Sequence, residues 1–208
     1  MSGPGRERRP FHRPTLRPPE ALDAAAGGVD PLDVAEAAHR TAQMVVGRGR
    51  DSGDPEVTDR LVNLVSEVGL ATVAQMWADR PARTLPGALW RLYLLHEWVL
   101  RQPEEVGRLF SSGRAHTEVW SAVAGVAEPP DPHALRRLTE EILTGVFDGD
   151  LGLALERASA FCHVVAVGLS EPGAEDIPTE QVRRAARMRD TADDLMACAR
   201  LWRRDSLH

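Results

Sequence analysis

Two parts of the chain hold side chains whose types and spacing could do chemistry. In the first, Glu156, Ser159 and His163 recur at intervals of three and four residues, which places them on one face of a helix. A Ser-His-acid set supports nucleophilic catalysis only with an exposed, strained nucleophile and an oxyanion hole, and a regular helix supplies neither. Cys162 adjoins His163 but falls in an apolar stripe, so we interpret it as a buried structural thiol.

The second part is the helix-forming segment 85–101, in which His96 lies among apolar side chains. A core histidine is the first interpretation, because His96 lies on the apolar side of this helix. The His-Glu pair also lacks the second histidine of a metalloprotease helix. The alternative is a pocket built around Trp90, His96 and Trp98. We expect most tryptophans to lie in the core. No single surface can cover Leu92, Val99, Trp90, Leu94 and Trp98 together unless helices surround this one. If one side of the helix stays open, it forms a groove for a partner or an apolar ligand.

A cluster of arginines near the C-terminus is the candidate partner-binding site, formed by Arg183, Arg184 and Arg187. Acidic residues follow it closely, so pairs along the helix favour a solvated face. A docking surface for an acidic protein partner is the alternative interpretation.

Several other chemistries are excluded by residue content. All 25 basic residues are arginine, so a P-loop lysine, a Schiff base and a pyridoxal-phosphate lysine cannot be formed. Lysine-free usage is typical of a GC-rich genome and is not in itself evidence of phosphate binding. The histidines show no metal-ligand spacing with cysteines or carboxylates. We therefore expect no cofactor and no metal.

The distribution of charge and the hydropathy of the chain limit the classes of partner and the cellular locations that we expect. Residues 1–22 carry a net charge of +3 and residues 180–208 carry +2, so the 157 residues between them carry −11. An acidic body repels polyanions, which disfavours nucleic acid as a partner. Apolar stretches fall short of the roughly 18 residues that span a bilayer, and no apolar region follows the Arg-rich start. We expect a cytoplasmic protein without a membrane partner, with two reduced cysteines.

The elements that must position these residues are predicted to be helices. The Pro- and Arg-rich residues 1–28 are expected to form a disordered arm, and residues 29–208 a single helical domain. Three Asp-Pro pairs, at 30, 54 and 131, each combine an N-cap carboxylate with a proline at the first helical position. No sustained alternation of period two appears. The prediction is an all-α, irregular bundle of seven to eight helices.

Apolar spacing locates these helices and suggests how they pair. The segment 85–101 is apolar on most of its circumference, so it should lie at the centre of the bundle. The segments 132–147 and 150–169 are joined by a short turn and are predicted to form an antiparallel hairpin. Further helices are predicted at 31–46, from 55 to about 77 with a break near Gly69, after Pro103, at 118–126 and at 179–204.

Three stretches carry a resemblance to a known group: GALWRLYLLHEWVLRQP, EILTGVFDGDLGLALERASAFCHVVAVG and DTADDLMACARLWRR. Together they resemble small helical proteins of actinobacteria, the nearest named group being the AmfC-like proteins of aerial-mycelium formation. The resemblance covers residues 30–204. It implies a cytoplasmic, regulatory or developmental role, and it carries no catalytic signature from which a functional residue could be transferred.

The expected function is therefore a non-enzymatic, cytoplasmic regulatory or developmental protein that acts through protein–protein interaction. The alternative is a ligand-binding sensor or an enzyme whose pocket lies near the central helix around His96. Active sites are often assembled from residues far apart in sequence, so the lack of a local motif does not decide between them. Homo-oligomer formation is left open.

Overall fold

A computed structural model describes residues 30–46, 69–117, 130–143, 150–170 and 177–208. Seven helices account for 80% of these residues, and no strand occurs among them, which confirms the predicted all-α bundle. The predicted arm 1–28, the predicted helix start at Pro55 and the predicted helix 118–126 lie outside the described residues. The helices are α1 (Pro31–Val45), α2 (Leu70–Gln75), α3 (Leu85–Arg101), α4 (Pro103–Arg114), α5 (Pro132–Leu143), α6 (Leu151–Leu169) and α7 (Thr179–Arg203).

Side-chain caps explain where several helices begin. The Oδ1 atom of Asp30 accepts a hydrogen bond from the Leu32 N–H at 2.9 Å, and that of Asp131 accepts from the Ala134 N–H at 2.7 Å. Each bond satisfies a backbone donor that the first helical turn leaves unpaired. The helix starts predicted at these two Asp-Pro pairs are confirmed, and the pair at Asp54 lies outside the described residues.

A helix begins after Gly69, where the predicted helix was expected to resume, and the part predicted before Gly69 lies outside the described residues. Gly69 has a φ of +87°, a left-handed conformation that glycine adopts without steric cost, and α2 begins at the next residue. After α2 the chain buries Trp77 completely. The Trp77 Nε1–H donates to Thr41 Oγ1 at 3.1 Å, which joins this turn to α1.

Helix α3 is the centre of the bundle, as predicted. It makes substantial contacts with α1, α2, α4, α5 and α7, and no other described helix has substantial contacts with as many neighbours. Leu85, Leu89 and Leu92 on its inner side are fully buried. The Thr84 Oγ1 atom caps its start by accepting a hydrogen bond from the Gly87 N–H at 3.2 Å.

The helices pair differently from the predicted hairpin. Helix α6 packs most extensively against α7, antiparallel to it, and next against α4, whereas α5 packs mainly against α3. The contact between α5 and α6 is small. Helix α6 has buried residues on several faces, so several helices pack against it. Helix α5 precedes it in sequence, but that alone does not make α5 its main packing partner.

Two glycines explain the close approach of α4 and α6. A Cβ atom at Gly113 would lie 1.8 Å from the Val164 carbonyl oxygen, and one at Gly168 would lie 2.0 Å from that of Leu109. The two backbones are therefore in direct contact, a distance that only a residue without a side chain permits. Phe110 of α4 and Phe161 of α6 stack beside this crossing, with ring centroids 5.4 Å apart.

Burial changes at both ends of α7. The apolar spacing of this helix, which also includes Ala185 and Ala192, predicts that Val182 is buried, but its side chain is 51% exposed. Helix α6 ends at Leu169, which borders the same groove as Arg184 of α7. Val182 precedes Arg184 in α7 and therefore lies beyond the end of α6, the helix that would cover it. After α7 the chain turns back, burying Leu207, and the Leu85 N–H donates to the His208 carbonyl oxygen at 2.9 Å.

Within the described ranges, one helix, α6, is long and apolar enough to cross a bilayer by length and composition. Of its apolar stretch, 67% is buried by neighbouring helices. A helix at the centre of a protein core has the same composition, so this feature does not by itself indicate a membrane.

Candidate functional site

His96 lies inside the bundle and connects two helices. It is 8% exposed, and its Nδ1 atom lies 3.3 Å from Thr139 Oγ1 on α5. The Thr139 hydroxyl donates its single proton to a carbonyl of its own helix, that of Leu135 at 3.0 Å being one acceptor. Its oxygen is then left to accept, so His96 donates through Nδ1. This geometry is that of a core histidine.

The outer side of α3 is only partly covered. Trp90, Leu94 and Trp98 follow one another at a spacing of four residues, and we call them the tryptophan column. Leu94 is 47% exposed, and both tryptophans are partly exposed. His96 faces α5 instead, so the structure does not bring Trp90, His96 and Trp98 into one pocket.

Tyr93 of α3 and Gln102, which directly follows α3, hold the two tryptophans in place. The Trp90 ring stacks on that of Tyr93, with centroids 5.5 Å apart and an interplanar angle of 26°. The Trp98 Nε1–H donates to Gln102 Oε1 at 2.9 Å. Each indole is thus ordered while one side stays accessible, an arrangement that lowers the entropic cost of binding.

A groove of about 210 Å³ between α3 and α7 continues from the tryptophan column. We call it the α3–α7 groove. It brings together Trp98 and two of the three candidate arginines, residues that are more than eighty positions apart in sequence. Its lining consists of Trp98, Leu169, Arg184, Arg187, Met188 and Thr191.

The arginines at this groove have carboxylate partners. Arg187 lies 2.6 Å and Arg183 lies 3.9 Å from the same residue, Glu180. Arg184 pairs with Glu105 of α4 at 2.9 Å. Exposed pairs of this kind contribute about 0–1 kcal/mol each. Two guanidinium groups share the single charge of Glu180, so an excess of positive charge remains beside the groove.

Glu156, Ser159 and His163 were predicted to share one face of a helix, which is α6, and the first two of them bind α7. The Ser159 Oγ–H, fully buried, donates to the Ala192 carbonyl oxygen at 2.8 Å. Both Oε atoms of Glu156 accept hydrogen bonds from Arg203. The Ser159 hydroxyl is buried and donates to a backbone carbonyl, which cannot take up its proton as a general base does, so these groups serve helix packing.

The third residue on this face, His163, also contacts α7. Its Nε2 atom lies 3.7 Å from Asp193 Oδ1. Burial lowers the pKa of His163, and Arg189 lowers it further, while Asp193 opposes both effects.

The two cysteines are free, as predicted, and both are buried. Burial had been predicted for Cys162 and not for Cys198. Burial raises the pKa of Cys198 to about 11, with Asp194 raising it further and Arg91 and Arg83 lowering it. Burial raises the pKa of Cys162 well above its ordinary range. The thiolate is the reactive form of cysteine, and at neutral pH both side chains are thiols. Among the described residues, no group of three or more potential ligands could hold a metal ion.

A second cavity, of about 330 Å³, lies where the C-terminal end of α3 meets α4 and the start of α5. We call it the α3–α5 cavity. Val99, Leu100 and Phe110 form its apolar walls. Polar side chains reach it from α4 and α5, namely Ser111, Arg114, His133 and Arg136. Sequence reasoning missed this site, because its members belong to three helices and form no local motif.

Comparison with family models, with curated proteins and with solved structures finds no match to the chain. The candidate sites are therefore defined by their own geometry. Trp98, Arg184 and Arg187 line one groove, and Arg183 lies beside it, paired with the same Glu180 as Arg187. Trp90 belongs to the adjoining column, and His96 lies in the core.

Proposed function

We propose that this chain is a non-enzymatic regulatory protein that binds a protein partner through the tryptophan column and the α3–α7 groove. The observation that carries the proposal is the half-exposed Leu94 between two partly exposed tryptophans, beside an arginine-lined groove. Tryptophan and arginine are the residue types most enriched among interface residues that dominate binding energy. An apolar strip with a charged rim is also the usual layout of a protein interface.

An acidic, amphipathic helix of the partner suits this surface best. The column extends over nine residues of α3, roughly 12 Å along the axis, which matches about two turns of a second helix. The partner's apolar face would cover Leu94 and Trp98. The excess positive charge near Glu180 favours carboxylates on the partner, and exposed ion pairs exchange at small energetic cost.

The alternative function, a ligand sensor or an enzyme with a pocket around His96, has less support. His96 lines neither of the two cavities described above and already hydrogen-bonds to Thr139. A developmental role rests on the resemblance to AmfC-like proteins, and a cytoplasmic location rests on that resemblance and on the hydropathy of the sequence. Both stay predictions, as does the exclusion of nucleic acid.

Affinity capture from extract of the source cells tests the docking surface. The variant Arg183→Glu, Arg187→Glu reverses the charge beside the groove, and Arg200→Glu, Arg204→Glu makes the same change at the other end of α7. We expect the wild type and the second variant to capture one defined protein that the first variant loses, and the purified pair to reproduce this difference. Equal capture by all three proteins would contradict the proposal. So would a co-purifying small molecule in the absence of any protein partner.

A further inference from the structure

We propose that the α3–α5 cavity binds a small amphipathic anion, specifically a monocarboxylate with a short apolar chain. The cavity shares no lining residue with the α3–α7 groove, so it is a second and independent site. Its volume of about 330 Å³ falls at the lower end of the range of ligand pockets, which suits a molecule of this size.

The charge of the ligand is inferred from Arg136. This side chain is half-buried at the cavity, and its guanidinium makes no hydrogen bond or ion pair with any residue that the structure describes. A guanidinium presents two parallel N–H groups that match a carboxylate. Asp131 also borders the cavity, but its Oδ1 atom caps the helix by accepting from the Ala134 N–H at 2.7 Å. Among the described residues of the lining, Asp131 is the single carboxylate, beside the guanidinium groups of Arg114 and Arg136.

The apolar part of the ligand is inferred from the apolar side chains that α3 and α4 contribute to the lining. Val99 and Phe110 are buried there, while Leu100 is 50% exposed at the cavity. An alkyl chain lying between these side chains would remove the exposed surface of Leu100 from water, which is the main source of affinity for an apolar group.

Gly107 supports the cavity as a site independently of its charge. It lies inside α4 and borders the cavity, and a Cβ atom built there meets nothing within 4 Å. Glycine destabilises a helix interior relative to alanine. At Gly113 of the same helix, contact with α6 explains the glycine, but no packing contact explains Gly107. Its effect is to leave the cavity open.

Titration calorimetry with octanoate tests the site, with octanamide as the uncharged analogue. We expect the wild type to bind octanoate at one saturable site and more tightly than octanamide. Arg136→Gln should weaken octanoate binding by about tenfold or more, because a charge-assisted hydrogen bond is lost. Arg137→Gln is the matched control, since Arg137 is exposed, adjacent in sequence and outside the cavity lining, and it should bind as the wild type does.

Gly107→Leu provides a test that does not depend on charge. The new side chain should fill the cavity and abolish octanoate binding, while the melting temperature stays equal or rises because leucine favours the helix. Three results would overturn the proposal: no saturable binding by the wild type, equal weakening by Arg136→Gln and Arg137→Gln, or undiminished binding by a folded Gly107→Leu variant.

Discussion

At the scale of single residues, most of the reactive side chains serve packing. His96, Ser159 and both cysteines are buried, and the first two hydrogen-bond to neighbouring helices. The sequence was sufficient to predict His96 and Cys162 as core residues, because each falls on an apolar helical stripe. It was not sufficient to find Arg136 in a cavity with Val99, because only tertiary packing brings α3 and α5 together.

The buried thiols predict how stability depends on pH. Burial raises the pKa of Cys198 from 9.0 to about 11, and that of Cys162 moves in the same direction. As the pH rises, the unfolded chain therefore loses these protons before the folded chain does. The stability that the buried thiols contribute is complete below about pH 9 and is lost as the pH rises toward 11. Urea unfolding at about pH 8 and about pH 10 should show a fall in the free energy of unfolding. That fall should be smaller in Cys162→Ala, Cys198→Ala, and an identical pH dependence would contradict the prediction.

At the scale of helices, starts and ends could be predicted but pairing could not. A helix start depends on local chemistry, so Asp30 and Asp131 were sufficient to locate α1 and α5. Pairing depends on which backbones can approach, and the contact of Gly113 with Val164 involves residues about fifty positions apart. Proximity along the chain therefore predicted the wrong main partner for α6.

Two glycines of α4 give a matched pair of substitutions with opposite expected signs. Gly113→Ala should lower the free energy of unfolding by about 1–3 kcal/mol, because its Cβ collides with the Val164 carbonyl of α6 and the helices must separate. Gly107→Ala should raise it by about 0.5–1 kcal/mol, because its Cβ meets open space and alanine favours the helix. Chemical denaturation followed by circular dichroism measures both, and effects of the same sign would contradict this account of α4.

At the scale of the whole molecule, one core surrounds α3, and the side of α3 left uncovered is the proposed interface. Buried side chains from all seven helices form a contiguous cluster. The periodicity of residues 85–101 was enough to predict this central position. It could not predict the docking of Leu207, since a single leucine after the end of a helix forms no periodic pattern.

Two leucines of α3 distinguish its core side from its outer side. Leu92→Ala should lower the free energy of unfolding by about 2–5 kcal/mol, because it leaves a cavity in the centre of the bundle. Leu94→Ala should change it by no more than about 0.5 kcal/mol, because that side chain is half exposed. Urea denaturation of both variants checks this, and a loss below about 1 kcal/mol for Leu92→Ala would contradict the central position of α3.

Site-specific photo-crosslinking tests most directly whether the tryptophan column is a docking surface. A benzophenone amino acid is placed at Leu94 in one protein and at Leu32, which is exposed on α1, in another, and each is irradiated in extract of the source cells. We expect a single defined protein adduct from position 94 that is absent from position 32 and is suppressed by Arg183→Glu, Arg187→Glu. The same adducts from both positions, or no protein adduct from position 94, would contradict the proposed function.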